Sequence, residues 1–156
     1  MNKLNSFLSR LLQINEIFTV VLLSIMVAIV GMNVVLRYVF RTGVIWSEEF
    51  VRYAYVWVIF LGSVTAVRDN GHINFDLIVS RLSRKTARIV LCAGDLLVIV
   101  FQVILVVYGV QMIFLTDGMT SPVMHASMPL VYLIFPLSGL LMILAMLKLF
   151  HDHWKE

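Results

Sequence analysis

The residues able to do chemistry are few, and one of them lies in an unusual place. Asp95 is the only charged residue in the apolar stretch from Ile89 to Thr116. A carboxylate near the middle of a bilayer costs roughly 3 kcal/mol on insertion scales, so such a residue usually has a partner or a function. Three roles stay open for Asp95: structural pairing, which the sequence favours, a contact with another chain, and a proton relay.

The other reactive side chains exclude several kinds of chemistry. Cys92 is the single cysteine, so an intrachain disulfide, a Cys-based zinc site and a paired-cysteine redox centre are ruled out. His72 and His125 are predicted in loops, and His151 and His153 in a polar C-terminal tail, so none lies at membrane depth to hold a haem. A nucleophile paired with a base is also missing. We therefore expect no catalytic residue, no cofactor and no metal site.

The densest group of charges follows the first apolar stretch and predicts the start of a helix. Ser47 is placed as its N-cap after a turn at Gly43, and the carboxylates of Glu48 and Glu49 suit the positive end of the helix dipole. Arg52 follows Glu48 by four residues, the favourable order for an ion pair. These charges either only shape a helix start or also contact a partner protein, and both interpretations stay open.

Four long apolar stretches must position all of these residues. Hydrophobic residues make up 61% of the 156 residues and charged residues 13%, against roughly 45–50% and about 25% in ordinary globular chains. About 20 apolar residues in a helix cross a bilayer, and lipid offers no partner for an unpaired backbone group. The sequence therefore predicts one all-α membrane domain over residues 1–156, and excludes a soluble enzyme and a nucleic-acid-binding protein. The four predicted transmembrane spans are 17–36, 50–67, 89–116 and 129–147.

The basic residues predict the orientation of these spans. Nine of the 12 Lys and Arg residues fall before the first span, in the connection after the second, or after the fourth. Arg37, Arg41 and Arg52 fall on the opposite side. Because basic residues accumulate in cytoplasmic segments, both termini are predicted to be cytoplasmic.

Local patterns add finer expectations about the helices. Residues 5–16 form either an amphipathic segment at the membrane interface or a simple extension of the first span, and residues 73–82 form a second short interfacial segment. Pro136 is expected to kink the fourth span because it has no N–H. Small residues are expected to allow close helix approach in two pairs, Gly62 with Ala66 and Ser24 with Ala28.

The polar residues inside the spans do not form a recognisable substrate site. They are scattered and are typical of contacts between helices: Asn33, Ser63, Thr65, Gln102 and Gln111. A transporter needs convergent polar groups or broken helices near the midplane, and Pro136 marks only one such break. A chain without a substrate site of its own could be an accessory subunit of a larger membrane complex. Two alternatives remain: a self-contained homo-oligomeric proton-coupled exporter or channel using Asp95, and a membrane assembly protein without a transport role.

A series of short motifs runs along the chain from about residue 15 to residue 147. Its residues are Asn33, Arg37, Tyr38, Trp46, Ser47, Glu48, Glu49, Arg52, Tyr53, Trp57, Gly71, His72, Ile73, Asp76, Ser121, Pro122, Pro129, Tyr132 and Pro136. In order and spacing, which together are fairly specific, these motifs resemble the small membrane subunit of tripartite ATP-independent periplasmic (TRAP) transporters. The stretch between Pro122 and Pro129 departs from the family pattern, which often has small apolar residues and a tryptophan there.

This resemblance implies a multi-pass protein of the bacterial inner membrane. Its partners would be lipids, a large multi-spanning TRAP membrane subunit and a soluble periplasmic substrate-binding protein. The system would import organic acids such as C4-dicarboxylates or sialic acid with sodium, and this chain would brace the scaffold of the large subunit. Residues expected at such contacts are Arg37, Trp46, Glu48, Glu49 and Arg52 on the periplasmic side, Gly71, His72 and Asp76 in the cytoplasmic turn, and Asp95.

Overall fold

The chain folds into helices throughout the part that the structure describes. The computed structural model describes residues 2–68 and 84–155. In these ranges no β-strand forms, and Thr120 and Ser127 make an isolated antiparallel bridge. The helices are α1 (Asn2–Val39), α2 (Ile45–Arg68), α3 (Arg84–Leu115), α4 (Met128–Tyr132) and α5 (Ile134–Lys155).

Among the described residues, four helical segments are long and apolar enough to cross a membrane, which confirms the predicted all-α, four-span architecture. Their ends differ from the predicted spans by a few residues, except at the first, which begins earlier. They are Ser9–Val39, Ile45–Val67, Ile89–Leu115 and Met128–Met146, the last of which combines α4 with the start of α5. The predicted interfacial segment at residues 73–82 lies outside the described residues.

The first helix runs without interruption past the expected start of its span. α1 contains 38 residues, which corresponds to about 57 Å of helix. Residues 5–16 therefore belong to the same continuous helix as the first span, and a position at the membrane interface stays a prediction. Leu12 in this extension is buried and packs with Val64 of α2 and Met142 of α5. This apolar contact fixes the N-terminal half of α1 against the other helices.

The main packing contacts follow the order α1, α2, α5, α3. α2 and α5 are therefore the inner helices, while α1 and α3 lie at the two edges. The short helix α4 packs on α3 and continues into α5. Between the two inner helices, Phe60 and Phe135 meet edge to face with ring centroids 4.9 Å apart. The edge helices keep much of their apolar surface exposed, as expected for surfaces that lipid or another protein covers.

The fourth span is interrupted at Leu133, close to Pro136. α4 ends at Tyr132 and α5 begins at Ile134, so the break at Leu133 lies three residues before Pro136. Pro136 has no N–H to donate to the carbonyl of Tyr132. The hydrogen bonds on either side persist, since Leu133 N–H donates to the Pro129 carbonyl at 3.0 Å. The helix therefore has a one-residue break at Leu133, and the kink itself stays a prediction.

The closest helix approach occurs at glycines other than those predicted. A Cβ at Gly109 of α3 would lie 2.8 Å from the Cδ of Pro136, and one at Gly139 of α5 would lie 2.6 Å from a methyl group of Val106. The two glycines let α3 and α5 interlock. A Cβ at Gly62 would meet no atom within 4 Å, so the prediction of close approach at Gly62 is wrong for the packing within this chain.

Candidate functional site at the loop end of the helices

The loop between α1 and α2 and the loop between α3 and α4 meet at one end of the protein. We call residues 40–49 and 116–128 together the loop end. α1 finishes with Arg41 in the left-handed region at a φ of 53°, and Thr42 N–H donates to the Leu36 carbonyl at 3.1 Å. The predicted turn at Gly43 is therefore made by Arg41 instead. A left-handed conformation is uncommon for residues other than glycine, so the sequence predicts the turn at Gly43 and not at Arg41.

A polar contact from α1 holds the start of α2. The backbone N–H of Val44 donates to Oδ1 of Asn33 at 3.1 Å. α2 then begins at Ile45, two residues before the predicted N-cap. The hydroxyl of Ser47 donates back to the Val44 carbonyl at 2.6 Å. The expected N-cap role of Ser47 is therefore wrong, and Asn33 joins α1 to the loop that follows it.

Glu49 is the central residue of the loop end. It is only 7% exposed. Its Oε2 accepts the backbone N–H groups of Val123, at 3.1 Å, and Met124, at 2.8 Å. Its Oε1 accepts the hydroxyl of Tyr53, one turn further along α2, at 2.9 Å. Hydrogen bonds to an ionised acceptor are the stronger kind, so this carboxylate ties the start of α2 to the loop between α3 and α4.

The loop bound by Glu49 is itself a small hairpin. Met128 N–H donates to the Met119 carbonyl at 3.0 Å, and Ser121 N–H donates to the Ala126 carbonyl at 2.9 Å. The buried Ser121 hydroxyl accepts the Ala126 N–H at 3.0 Å. His125 allows the chain to reverse with a φ of 53°. We call residues 122–125 the loop tip, and it is exposed.

Glu48, the neighbour of Glu49, faces the other way. Its Oε1 lies 3.9 Å from a guanidinium nitrogen of Arg37, and both side chains are more than 60% exposed. This pair replaces the predicted pairing of Glu48 with Arg52. Arg52 and Trp46 are exposed as well. Two adjacent acids thus have different surroundings: one is enclosed by the chain's own loop and the other faces outward.

The remaining predicted site residues are not brought into the loop end. Asp95 is 1% exposed and has an interaction partner in the structure. It lies about 30 Å along α3 from the end of the helix at Leu115. Gly71, His72 and Asp76 lie outside the described residues. Within residues 2–68 and 84–155, no group of three or more His, Cys, Asp or Glu side chains could hold a metal.

Sequence reasoning missed the hydrogen-bonded core of this site. Glu49 was expected to contact a partner, and the two amides that it binds carry no side-chain signal. In the sequence, only the family resemblance indicates Ser121 and Tyr53. A partner 74 or 75 residues away along the chain becomes visible only when the helices are placed side by side.

The fold and the loop end define a multi-pass membrane protein with an ordered extramembrane loop on four apolar spans. This chain belongs to the family of the DctQ component of tripartite ATP-independent periplasmic transporters, because the family's model matches residues 26–156. It is the small permease subunit of such a transporter, a multi-pass protein of the inner membrane and a transport component rather than an enzyme.

Known proteins of this family are similar over much of the chain. A provisionally named TRAP transporter small permease protein of Haemophilus influenzae is 30% identical over 118 residues, which cover 76% of this chain and 72% of the relative. A second one from the same organism is 38% identical over 82 residues, which cover 53% and 49%. The sialic acid TRAP transporter small permease protein of Vibrio cholerae is 24% identical over 131 residues, which cover 78% and 76%.

Proposed function

We propose that this subunit works in a sodium-coupled importer of organic acids of the C4-dicarboxylate or sialic acid type. A soluble periplasmic protein would deliver the substrate, and the large membrane subunit would carry it across. Membership of the tripartite family supports the three-part arrangement. The Vibrio cholerae relative, which is named for sialic acid, supports the substrate class.

In this system the chain braces the scaffold of the large subunit. The exposure of α1 carries this part of the proposal. In the most apolar 18-residue window of its span, no residue is buried within the chain. Apolar surface in a membrane is covered either by lipid or by another helix, and permanent subunit interfaces need large areas of it. A stationary brace requires such a surface and needs no substrate site of its own.

The proposed orientation places both termini in the cytoplasm and the loop end in the periplasm. The excess of basic residues in the other segments supports it. The exposed charged and aromatic residues in and next to the loop end would then contact the partner proteins. Gly71, His72 and Asp76 would shape the cytoplasmic turn, and Asp95 would join helices. The proposed periplasmic contact residues are Arg37, Trp46, Glu48 and Arg52.

Reconstitution of the complete system tests the proposal. Proteoliposomes that hold both membrane subunits, supplied with the binding protein and a sodium gradient, should take up labelled sialic acid or a labelled C4-dicarboxylate. Vesicles with the large subunit alone should show little uptake. Replacement of the sodium gradient by a potassium gradient is the matched control for ion coupling.

Two results would contradict the proposal. Full uptake by the large subunit without this chain would remove the bracing role. Transport by this chain alone under a proton gradient, abolished by Asp95→Asn, would instead establish the self-contained exporter.

A further inference from the structure

The surroundings of Glu49 separate it from the residues that could meet a partner. Its two oxygens accept hydrogen bonds from this chain, among them the Tyr53 hydroxyl and two consecutive backbone N–H groups of the loop tip. The backbone N–H groups of Val123 and Met124 are present whatever side chains stand at these positions. Only a change at Glu49 therefore removes the two hydrogen bonds that they donate to it. Glu49 therefore fixes the loop tip relative to α2.

We propose that Glu49 is a positioning residue, which holds the loop tip as a preformed docking element for the soluble binding protein. This inference depends on the proposed function, from which it takes the partner and the orientation. It adds the element of this chain that the partner contacts, residues 122–125, and the residue that keeps this element in place. Glu49 itself touches no partner.

The character of the loop tip indicates a protein surface and not a lipid headgroup. Val123 is 42% exposed and Met124 is 36% exposed, although the tip lies between the spans that end at Leu115 and begin at Met128. Residues 116–128 contain no Lys or Arg. Anionic lipid is attracted by clusters of basic residues, and this loop has none. A tip without Lys, Arg, Asp or Glu and with two exposed apolar side chains fits an apolar recess on a protein.

The size of the loop tip indicates a partner that comes and goes. Permanent subunit interfaces bury several thousand Å², whereas transient encounters use small contacts. The apolar faces of α1 and α3, which are exposed over much of their length, offer the larger surface for the large membrane subunit. Four residues at a hairpin tip suit a soluble protein that must dissociate after delivery. Because the hairpin and Glu49 already order the tip, binding would cost little conformational entropy.

Binding measurements on the intact membrane complex test the inference. The two membrane subunits are placed together in nanodiscs, and the affinity of the soluble binding protein is measured for wild type, V123S/M124S and Glu49→Ala. Both variants should weaken binding by roughly tenfold or more, as expected when an apolar anchor is lost or displaced. Co-purification of the large subunit should stay at the wild-type level.

Two further variants distinguish positioning from a general structural effect. Glu49→Gln keeps one carbonyl oxygen for the loop amides, so it should restore most of the affinity lost in Glu49→Ala. Asp117→Ala removes an exposed acid from the same loop and should bind as wild type does. Hydrogen exchange at the backbone amides of positions 123 and 124 should accelerate in Glu49→Ala. It should stay slow in Asp117→Ala and V123S/M124S.

The inference is overturned if V123S/M124S binds the soluble protein with wild-type affinity, because that variant alters the exposed tip and leaves the Glu49 hydrogen bonds in place. This result decides the matter even if Glu49→Ala does not fold. Equal loss of affinity in Glu49→Gln and Glu49→Ala would overturn the positioning role. Failure of the proposed function is a separate result, seen as sodium-driven uptake that does not require this chain.

Discussion

The helix pair α3–α5 and the helix pair α1–α2 are held together in different ways. α3 and α5 interlock at Gly109 and Gly139, where the absence of side chains brings atoms of the two helices into direct contact. α1 and α2 have an open apolar groove of about 260 Å³ between them. The residues that line this groove are Phe18, Leu22, Phe50, Tyr53, Ala54 and Trp57.

Polar and aromatic contacts add to the apolar packing between α1 and α2. The amide of Asn15 donates to the Leu61 carbonyl at 3.0 Å and to the Thr65 hydroxyl at 3.1 Å. The rings of Phe18 and Trp57 meet at a centroid distance of 6.3 Å. Since water does not drive helices together inside lipid, packing and hydrogen bonds must do so. α3 and α5 therefore form a close-packed unit, whereas α1 is attached to α2 at separate points and leaves apolar surface for other molecules.

The largest expected effect comes from filling the α3–α5 contact. In Gly109→Ala the new Cβ would lie 2.8 Å from the Pro136 ring and 2.9 Å from the Cβ of Phe135. Both atoms belong to rigid parts of α5, so the helices must move apart. We expect a loss of about 1–3 kcal/mol in the free energy of unfolding, measured by SDS titration in mixed micelles.

Gly62→Ala is the matched control, since its Cβ would meet nothing within 4 Å. Alanine is the better helix former by up to about 1 kcal/mol, so this variant should be neutral or more stable. Equal effects of the two substitutions would contradict the interlocked packing of α3 and α5.

A smaller effect is expected from the polar contact between α1 and α2. Asn15→Leu removes both hydrogen bonds to α2 and keeps a side chain that branches at Cγ. Hydrogen bonds between membrane helices contribute about 0.6 kcal/mol on average and at most about 1.7 kcal/mol, so the loss should lie in that range. Thr65→Val removes one of the two bonds and should cost less. A double-mutant cycle with both changes measures the coupling, and additive effects would show that the two side chains do not interact.

The smallest effect is expected at the exposed ion pair. Arg37→Gln removes the contact with Glu48, whose charged atoms are 3.9 Å apart and open to solvent. Exposed pairs contribute roughly 0–1 kcal/mol and are screened by salt. The unfolding free energy of the isolated subunit should therefore change by less than about 0.5 kcal/mol. A loss as large as that of Gly109→Ala would assign this pair a greater structural role than its exposure allows.

Features that depend on neighbouring residues could be predicted from the sequence. The four spans follow from the length of the apolar stretches, and the break near Pro136 follows from its missing N–H. The helix start near residue 47 was predicted within two residues, but its cap was not. Ser47 donates to the Val44 carbonyl. Asn33, eleven residues before Val44, helps to stabilise this turn by accepting the Val44 N–H.

Features that depend on distant residues could not be predicted. The sequence has several glycines and small residues in apolar stretches, and nothing local distinguishes Gly109, which packs against α5, from Gly62, which faces open space. Likewise Glu48 and Glu49 are the same residue type in the same helical turn. Only the approach of the hairpin encloses one and leaves the other exposed.

By itself, the sequence determined that this protein crosses the membrane four times as helices, because burial of the backbone in lipid depends on the length and polarity of each stretch alone. The tertiary structure decided which glycine is a contact, and which acid is enclosed and holds a loop. These outcomes depend on how helices far apart in the chain are arranged side by side. Hydrogen bonds and packing contacts act over a few ångströms in space, whatever the separation along the chain.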